Sequence, residues 1–169
     1  MKDDIEKALH VLIGEPLLRI GRAGNMLWMA IGKEIEESRR DGSLIKTGEF
    51  SLNISCNWRF YQNNSIELAS MDFYYPGSTI KDAENFDWDE IGSTRFDELA
   101  SQFSAQRDSG YIIKSIVADN LGGFKMVFDN DMIVEIFPDE SIKENEVWRF
   151  IKRIPDVHIV VSGAGIEES

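Results

Sequence analysis

Cysteine is almost missing from this chain: among 169 residues there is one, Cys56. A single thiol rules out an internal disulfide and any zinc site built from several thiolates. It also removes the usual mark of an oxidising compartment. Histidine is nearly as scarce, with only His10 and His158. No spacing links the two, so a histidine-based metal site is not expected and no cofactor is indicated. Proline occurs four times against ten Phe and four Trp, a balance that favours packed strands and helices over linkers. Basic residues are in deficit, 18 against 30 acidic ones, for a net charge of −12. Such a surface repels phosphate backbones and anionic leaflets, so neither nucleic acid nor membrane is an expected partner. Long apolar runs are lacking too. The first, Ala8 to Ile13, is broken by His10, and acidic residues precede it where a signal peptide would be basic. The expected location is cytoplasmic.

What the chain does contain is strand and helix patterning enough for one domain. Ile5, Ala8, Leu9, Leu12 and Ile13 fall on one helical face, and Gly14 followed by Glu15-Pro16 stops that helix. Leu17 to Ile31 reads as two strands around Ala23-Gly24-Asn25. The clearest pattern runs from Phe50 to Phe60: Phe50, Leu52, Ile54, Cys56, Trp58 and Phe60 alternate with polar residues, as in a single strand with one wet face. That alternation puts Cys56 on the apolar side, where a thiol is buried and inert. Ser65 to Tyr74 reads as the partner strand beyond a turn at Gln62-Asn63-Asn64. The charged insert Lys33 to Arg40, within 33–48, reads as a short helix or a loop. Pro76 to Gly92 is expected to be the longest loop, ahead of a helix over 94–106 capped by Ser93 or Thr94, with Phe96, Leu99, Ala100 and Phe103 as its stripe. Further strands are expected at Tyr111–Ala118, Phe124–Phe128, Met132–Phe137, Trp148–Ile151 and His158–Ser162. Asp129-Asn130-Asp131 is a hairpin turn rather than a calcium loop, since Met132 follows and no Gly stands at the required spacing. Ser141 and Glu144 have capping-box spacing for a brief helical turn.

The fold class that follows is α+β, mainly antiparallel sheet with two helices. A pseudo-twofold internal duplication is suggested by order. Leu17-Leu18-Arg19-Ile20 precedes Ala23-Gly24-Asn25-Met26 much as Ile112-Ile113-Lys114-Ser115 precedes Ala118-Asp119-Asn120-Leu121, and Trp-Arg-Phe recurs at 58–60 and 148–150. A repeated tripeptide is expected by chance in a chain of this size, so the shared context carries the argument. The half-repeats span 15–75 and 110–167 and are joined by the acidic loop and helix of 76–109. Trp58 and Trp148 then belong to the core.

Catalytic signatures are not found. There is no Gly-x-Ser-x-Gly elbow and no phosphate-binding glycine loop, and Gly21, Gly24, Gly163 and Gly165 read as turn residues. The segment with the most distinctive chemistry is the long loop. Asp87, Trp88, Asp89 and Glu90, with Asp97 and Glu98 at the start of the next helix, assemble five carboxylates around one aromatic. Carboxylates about an aromatic anchor suit the surface of a basic protein. Two of them could instead act as an acid/base pair, or the loop could simply be solvated with Phe86 and Trp88 folded onto the core.

The run Gly122 to Asn130, then Ile133 to Ser141, Glu146-Val147-Trp148-Arg149-Phe150 and the closing His158 to Gly163 resembles small bacterial protein families of uncharacterised function, some found among toxin and immunity genes. The resemblance implies a bacterial source and a β-rich fold, and brings no functional residues with it. The reading it leaves is a non-enzymatic, acidic interaction protein, with an immunity-type inhibitor of a basic protein partner as its concrete form. The alternative is a small-ligand binder or a cryptic enzyme with a pocket between the two halves.

Overall fold

The computed structural model describes residues 1–38, 41–105 and 111–168; Arg39-Arg40 of the charged insert and the expected helix end at 106 lie outside them. The chain begins with α1 (Lys2–Leu9), prolonged by a 3-10 turn at His10–Leu12. Five strands follow: β1 (Leu17–Ala23), β2 (Met26–Ser38), β3 (Leu44–Ile54), β4 (Asn57–Gln62) and β5 (Ser65–Ala69). After the 76–94 loop come α2 (Arg95–Ala105), then β6 (Ile113–Ala118), β7 (Phe124–Phe128), β8 (Ile133–Phe137), β9 (Glu146–Arg153), β10 (Asp156–Ser162) and β11 (Gly165–Glu168). The strands form two antiparallel sheets, ordered β1-β2-β3-β9-β10-β11 and β5-β4-β8-β7-β6. The fold is therefore α+β and mainly antiparallel sheet.

The strand order has an internal correspondence. Each half runs helix, three-stranded meander, then a crossing into the other sheet: β3 leads to β4, and β8 leads to β9. There β4 pairs with β8 and β9 pairs with β3, so each half completes the other's sheet. Register agrees at the two crossing pairs. Trp148 lies opposite Ile54 and Phe150 opposite Leu52, while Trp58 lies opposite Ile136 and Phe60 opposite Val134. A bulge follows the first pair of both β1–β2 (Leu17/Arg19) and β6–β7 (Ile113/Ser115). Leu17 thus corresponds to Ile113, one residue on from the alignment drawn from sequence. The first strands of the halves meet where Pro16 bridges Ile112. Two reciprocal hydrogen bonds close that corner, from Leu17 N–H to Tyr111 O (2.9 Å) and from Ile113 N–H to Glu15 O (3.0 Å).

The core lies between the sheets. Leu27, Met29, Leu52, Ile54, Trp148 and Phe150 of one sheet pack with Trp58, Phe60, Phe124, Met126, Val134 and Ile136 of the other. The indole of Trp148 meets Phe124 edge-on at 5.2 Å and donates its Nε1–H to Gly122 O at 2.7 Å. Both repeated tryptophans are buried, as the alternation requires. The helices close the open sides: α1 lies against β6 with Ile5 and Leu9 fully buried, and α2 lies against β1 with Phe96 fully buried. Each helix thus covers the first strand of the opposite half.

Several elements differ from the sequence reading. The Phe50–Phe60 pattern is not one strand but β3 and β4, in different sheets. At the corner between them the amides of Ser55 and Cys56 both donate to Val147 O (2.9 and 3.2 Å). Alternation survives the corner because both strands face the same core. Within the described residues the insert 33–48 is not a helix, and only 41–43 are turn or coil. Its two ends extend β2 and β3 into a long hairpin arm, solvated on both faces and so lacking an alternating signature. The arm bends at Gly32, which adopts φ +84°, and Gly48 faces it so closely that a Cβ there would come within 2.4 Å of Ile31 O. Residues 70–74 form a 3-10 turn rather than prolonging β5. Ser141–Glu144 is not helical, Ile13 at the end of the first helical face is exposed, and β11 is an additional edge strand. Gly21 is not a turn residue but lies within β1.

Candidate functional site

The 76–94 loop is held at both ends. Gly77 N–H donates to Ser93 O (2.8 Å) and Arg95 N–H to Tyr75 O (2.8 Å), with Pro76 and Thr94 bridged between them. This short antiparallel neck turns a long excursion into a closed loop standing on the start of α2. Thr94 caps that helix: Asp97 N–H donates to Thr94 Oγ1 (3.1 Å) and Thr94 N–H donates back to Asp97 Oδ2 (3.2 Å), a capping box with Asp in the third position.

Two of the six residues singled out from sequence are committed to this framework. Asp97 receives a bidentate pair from Arg22 of β1, Nε to Oδ1 and Nη2 to Oδ2, both at 2.9 Å. The Arg22 side chain is only 1% exposed and its remaining donors reach Glu90 O (2.9 Å) and Gly24 O (3.3 Å). One buried guanidinium therefore ties β1, its following turn, the loop and α2 together. Burial by itself would raise the Asp97 carboxyl, but hydrogen bonds from Arg22, Thr94 and Gly92 outweigh it and the pKa is lowered. Glu98 accepts from Ser78 N–H (2.8 Å) and Ser78 Oγ (2.7 Å), fixing the outgoing limb of the loop and lowering its own pKa.

The other four face outward. Asp87 accepts from Asp89 N–H (2.9 Å), an Asx turn that shapes the tip. Ser93 Oγ donates to Asp87 O (2.7 Å) and Glu90 O (2.6 Å), so these residues anchor the loop through their backbones while their side chains stay in solvent. Trp88 is 38% exposed and tilts against Tyr74, with ring centroids 5.2 Å apart. Tyr74 was not anticipated as part of the site. It belongs to the 3-10 turn after β5, together with exposed Met71, and is followed by exposed Tyr75. The only advance signal was a cluster of large side chains at the end of a stretch read as strand. Ile91 also stands in solvent beyond Glu90.

Reactive groups elsewhere are quiet. The Cys56 thiol is pushed up to about 12, by burial first and then by the charges of Asp139 and Glu140. It is therefore a poor nucleophile at neutral pH. Among the described residues no group of three His, Cys, Asp or Glu side chains could hold a metal ion, and no helix is long and apolar enough to cross a membrane. Comparison of the chain with protein-family models, with curated proteins and with solved structures finds no match in any of the three.

Proposed function

We propose that this chain is a non-enzymatic interaction protein that captures a basic protein on the face of its 76–94 loop, in the manner of an immunity-type inhibitor. The observation that carries the reading is the exposed Tyr74–Trp88 pair beside Asp87, Asp89 and Glu90, on a loop pinned by the buried Arg22–Asp97 pair. Aromatics supply a large contact area that gains from desolvation, and the carboxylates steer and orient a cationic partner. The pinned loop loses little freedom on binding, which favours affinity without new contacts. Aromatic faces bordered by carboxylates also suit Lys and Arg side chains through cation–π attraction. Trp58, Trp148, Phe124 and their neighbours fill the space between the two sheets.

The test is capture of the tagged chain's partner from host lysate at low and high salt, set against two variants. Trp88→Ala should weaken capture by about tenfold or more, in the range of an interface anchor. The triple variant Asp87→Asn, Asp89→Asn, Glu90→Gln should keep the wild-type melting temperature and lose most capture at low salt. A partner held equally well by all three proteins, or one that is not basic, would sink the proposal.

A further inference from the structure

The two halves share their scaffold but not their decoration, and the difference falls on the outer face of the six-stranded sheet. In the five-stranded sheet, Lys125, Glu135 and Arg59 stand in register across β7, β8 and β4, and Glu135 binds both cations, with Arg59 Nε at 2.8 Å and Lys125 Nζ at 3.1 Å. The corresponding positions of the six-stranded sheet are Trp28, Asn53 and Arg149. An indole replaces the lysine and an amide replaces the carboxylate that would have joined the row.

The β2–β3 arm adds a second asymmetry, because β7 and β8 turn back after a short link at 129–132. Beyond the Gly32 bend the arm curls over the outer face, so that Arg19 of β1 donates to Lys46 O, and Arg153 of β9 donates to Gly48 O at 3.2 Å. The result is a cup of about 600 Å³, with Met26, Trp28, Ala30, Ser51 and Asn53 as its floor and Arg19, Lys46 and Arg153 among its walls. That volume lies within the roughly 300–1,000 Å³ of small-molecule sites.

Two features mark it as a built surface. The six-membered ring of Trp28 lies over Gly21, so closely that a Cβ on Gly21 would come within 2.1 Å of it. Any other residue at Gly21 would push the indole off the floor. Three cations, Arg19, Lys46 and Arg153, also gather there in a chain whose net charge is −12; among the described residues Glu34 lies 3.9 Å from Arg19 and 3.2 Å from Lys46, and Glu37 lies 3.0 Å from Arg153.

We infer that this cup binds a small organic anion carrying a planar ring, with the ring on Trp28, the anionic group toward Arg19 and Lys46, and the Asn53 amide available as a polar contact. The inference does not depend on the interaction reading. The experiment titrates the full chain with 2-naphthoate and with 2-naphthamide, the same ring without the charge, by calorimetry and tryptophan fluorescence. One-to-one binding of 2-naphthoate is expected, about tenfold tighter than 2-naphthamide, and weakened about tenfold in both Lys46→Gln and Trp28→Leu. Lys46 is well exposed, so its substitution tests the charge even if Trp28→Leu folds poorly. No saturable binding of 2-naphthoate below about 5 mM, equal affinity for acid and amide, or binding indifferent to Lys46→Gln each overturns the inference.

Discussion

Trp58 and Trp148 occupy corresponding positions in two corresponding strands, yet their indole N–H groups have different fates. Trp148 Nε1 donates to Gly122 O, whereas buried Trp58 Nε1 has no acceptor among the described residues. Trp58 is instead packed by Phe60, Phe73 and Phe96, all edge-on with centroids 5.5–5.8 Å away. Replacing either tryptophan with Phe removes the same volume, so the cavity costs are similar. Trp148→Phe also strands a buried carbonyl, while Trp58→Phe relieves an unpaired donor. Trp148→Phe should therefore be the more destabilising by about 1–3 kcal/mol in urea denaturation, the cost of an unmet buried polar group. Equal losses would show that Trp58 Nε1 has found a partner.

Asp97 makes a second prediction at the same scale. Removing one member of a buried pair leaves the other charge uncompensated, so Asp97→Asn should cost about 3 kcal/mol near pH 7. The sign with pH follows from the lowered pKa. The stabilisation is present in full above the unfolded carboxyl value of about 3.9 and is lost as pH falls through the lower folded value. The melting-temperature gap between wild type and variant should hold steady from pH 7 to about pH 5 and narrow below pH 4. A gap that widens on acidification would show that Asp97 is held by something other than ionic pairing.

At the scale of elements, what sequence revealed and what it concealed have separate physical causes. The helical stripe of Phe96, Leu99, Ala100 and Phe103 and the Thr94 cap could be read because they depend on neighbours three and four residues away. The Asp129-Asn130-Asp131 hairpin is equally local, and Asp131 takes the left-handed conformation, φ +65°, that such a turn demands. The corner at Ser55-Cys56 was hidden because inward-facing residues keep period two on both sides of it. The hairpin arm was hidden for the opposite reason: solvated on both faces, it needs no apolar alternation, and its charges imitate a surface helix. The loop site was only half visible. A run of acidic residues does not reveal that a distant Arg22 will claim Asp97, nor that Tyr74 will meet Trp88. The cup was out of reach, since its residues come from β1, β2, β3 and β9 and none is unusual in its own segment.

For the molecule as a whole, the exchange of strands and helices between halves has an energetic consequence. Each half donates to its neighbour the strand carrying its Trp-Arg-Phe triplet, and each helix covers the other half's first strand. Neither half then encloses a core alone. A fragment of residues 1–75 would leave β4 without β8, expose Trp58 and Phe60, and lack the β9 strand that covers β3. A chain of that size already buries too small a share of its surface to spare such contacts. Fragments 1–75 and 76–169 should each be largely unfolded at micromolar concentration by circular dichroism, and mixing them should restore strand signal with a concentration-dependent midpoint. A cooperative thermal transition from monomeric 1–75 would mean that its meander is self-sufficient, and that the crossing strands decorate the fold instead of closing it. With the crossing strands as closure, the shared core supplies the stability. The arm and the loop, insertions without a counterpart in the other half, contribute no residue to that shared core.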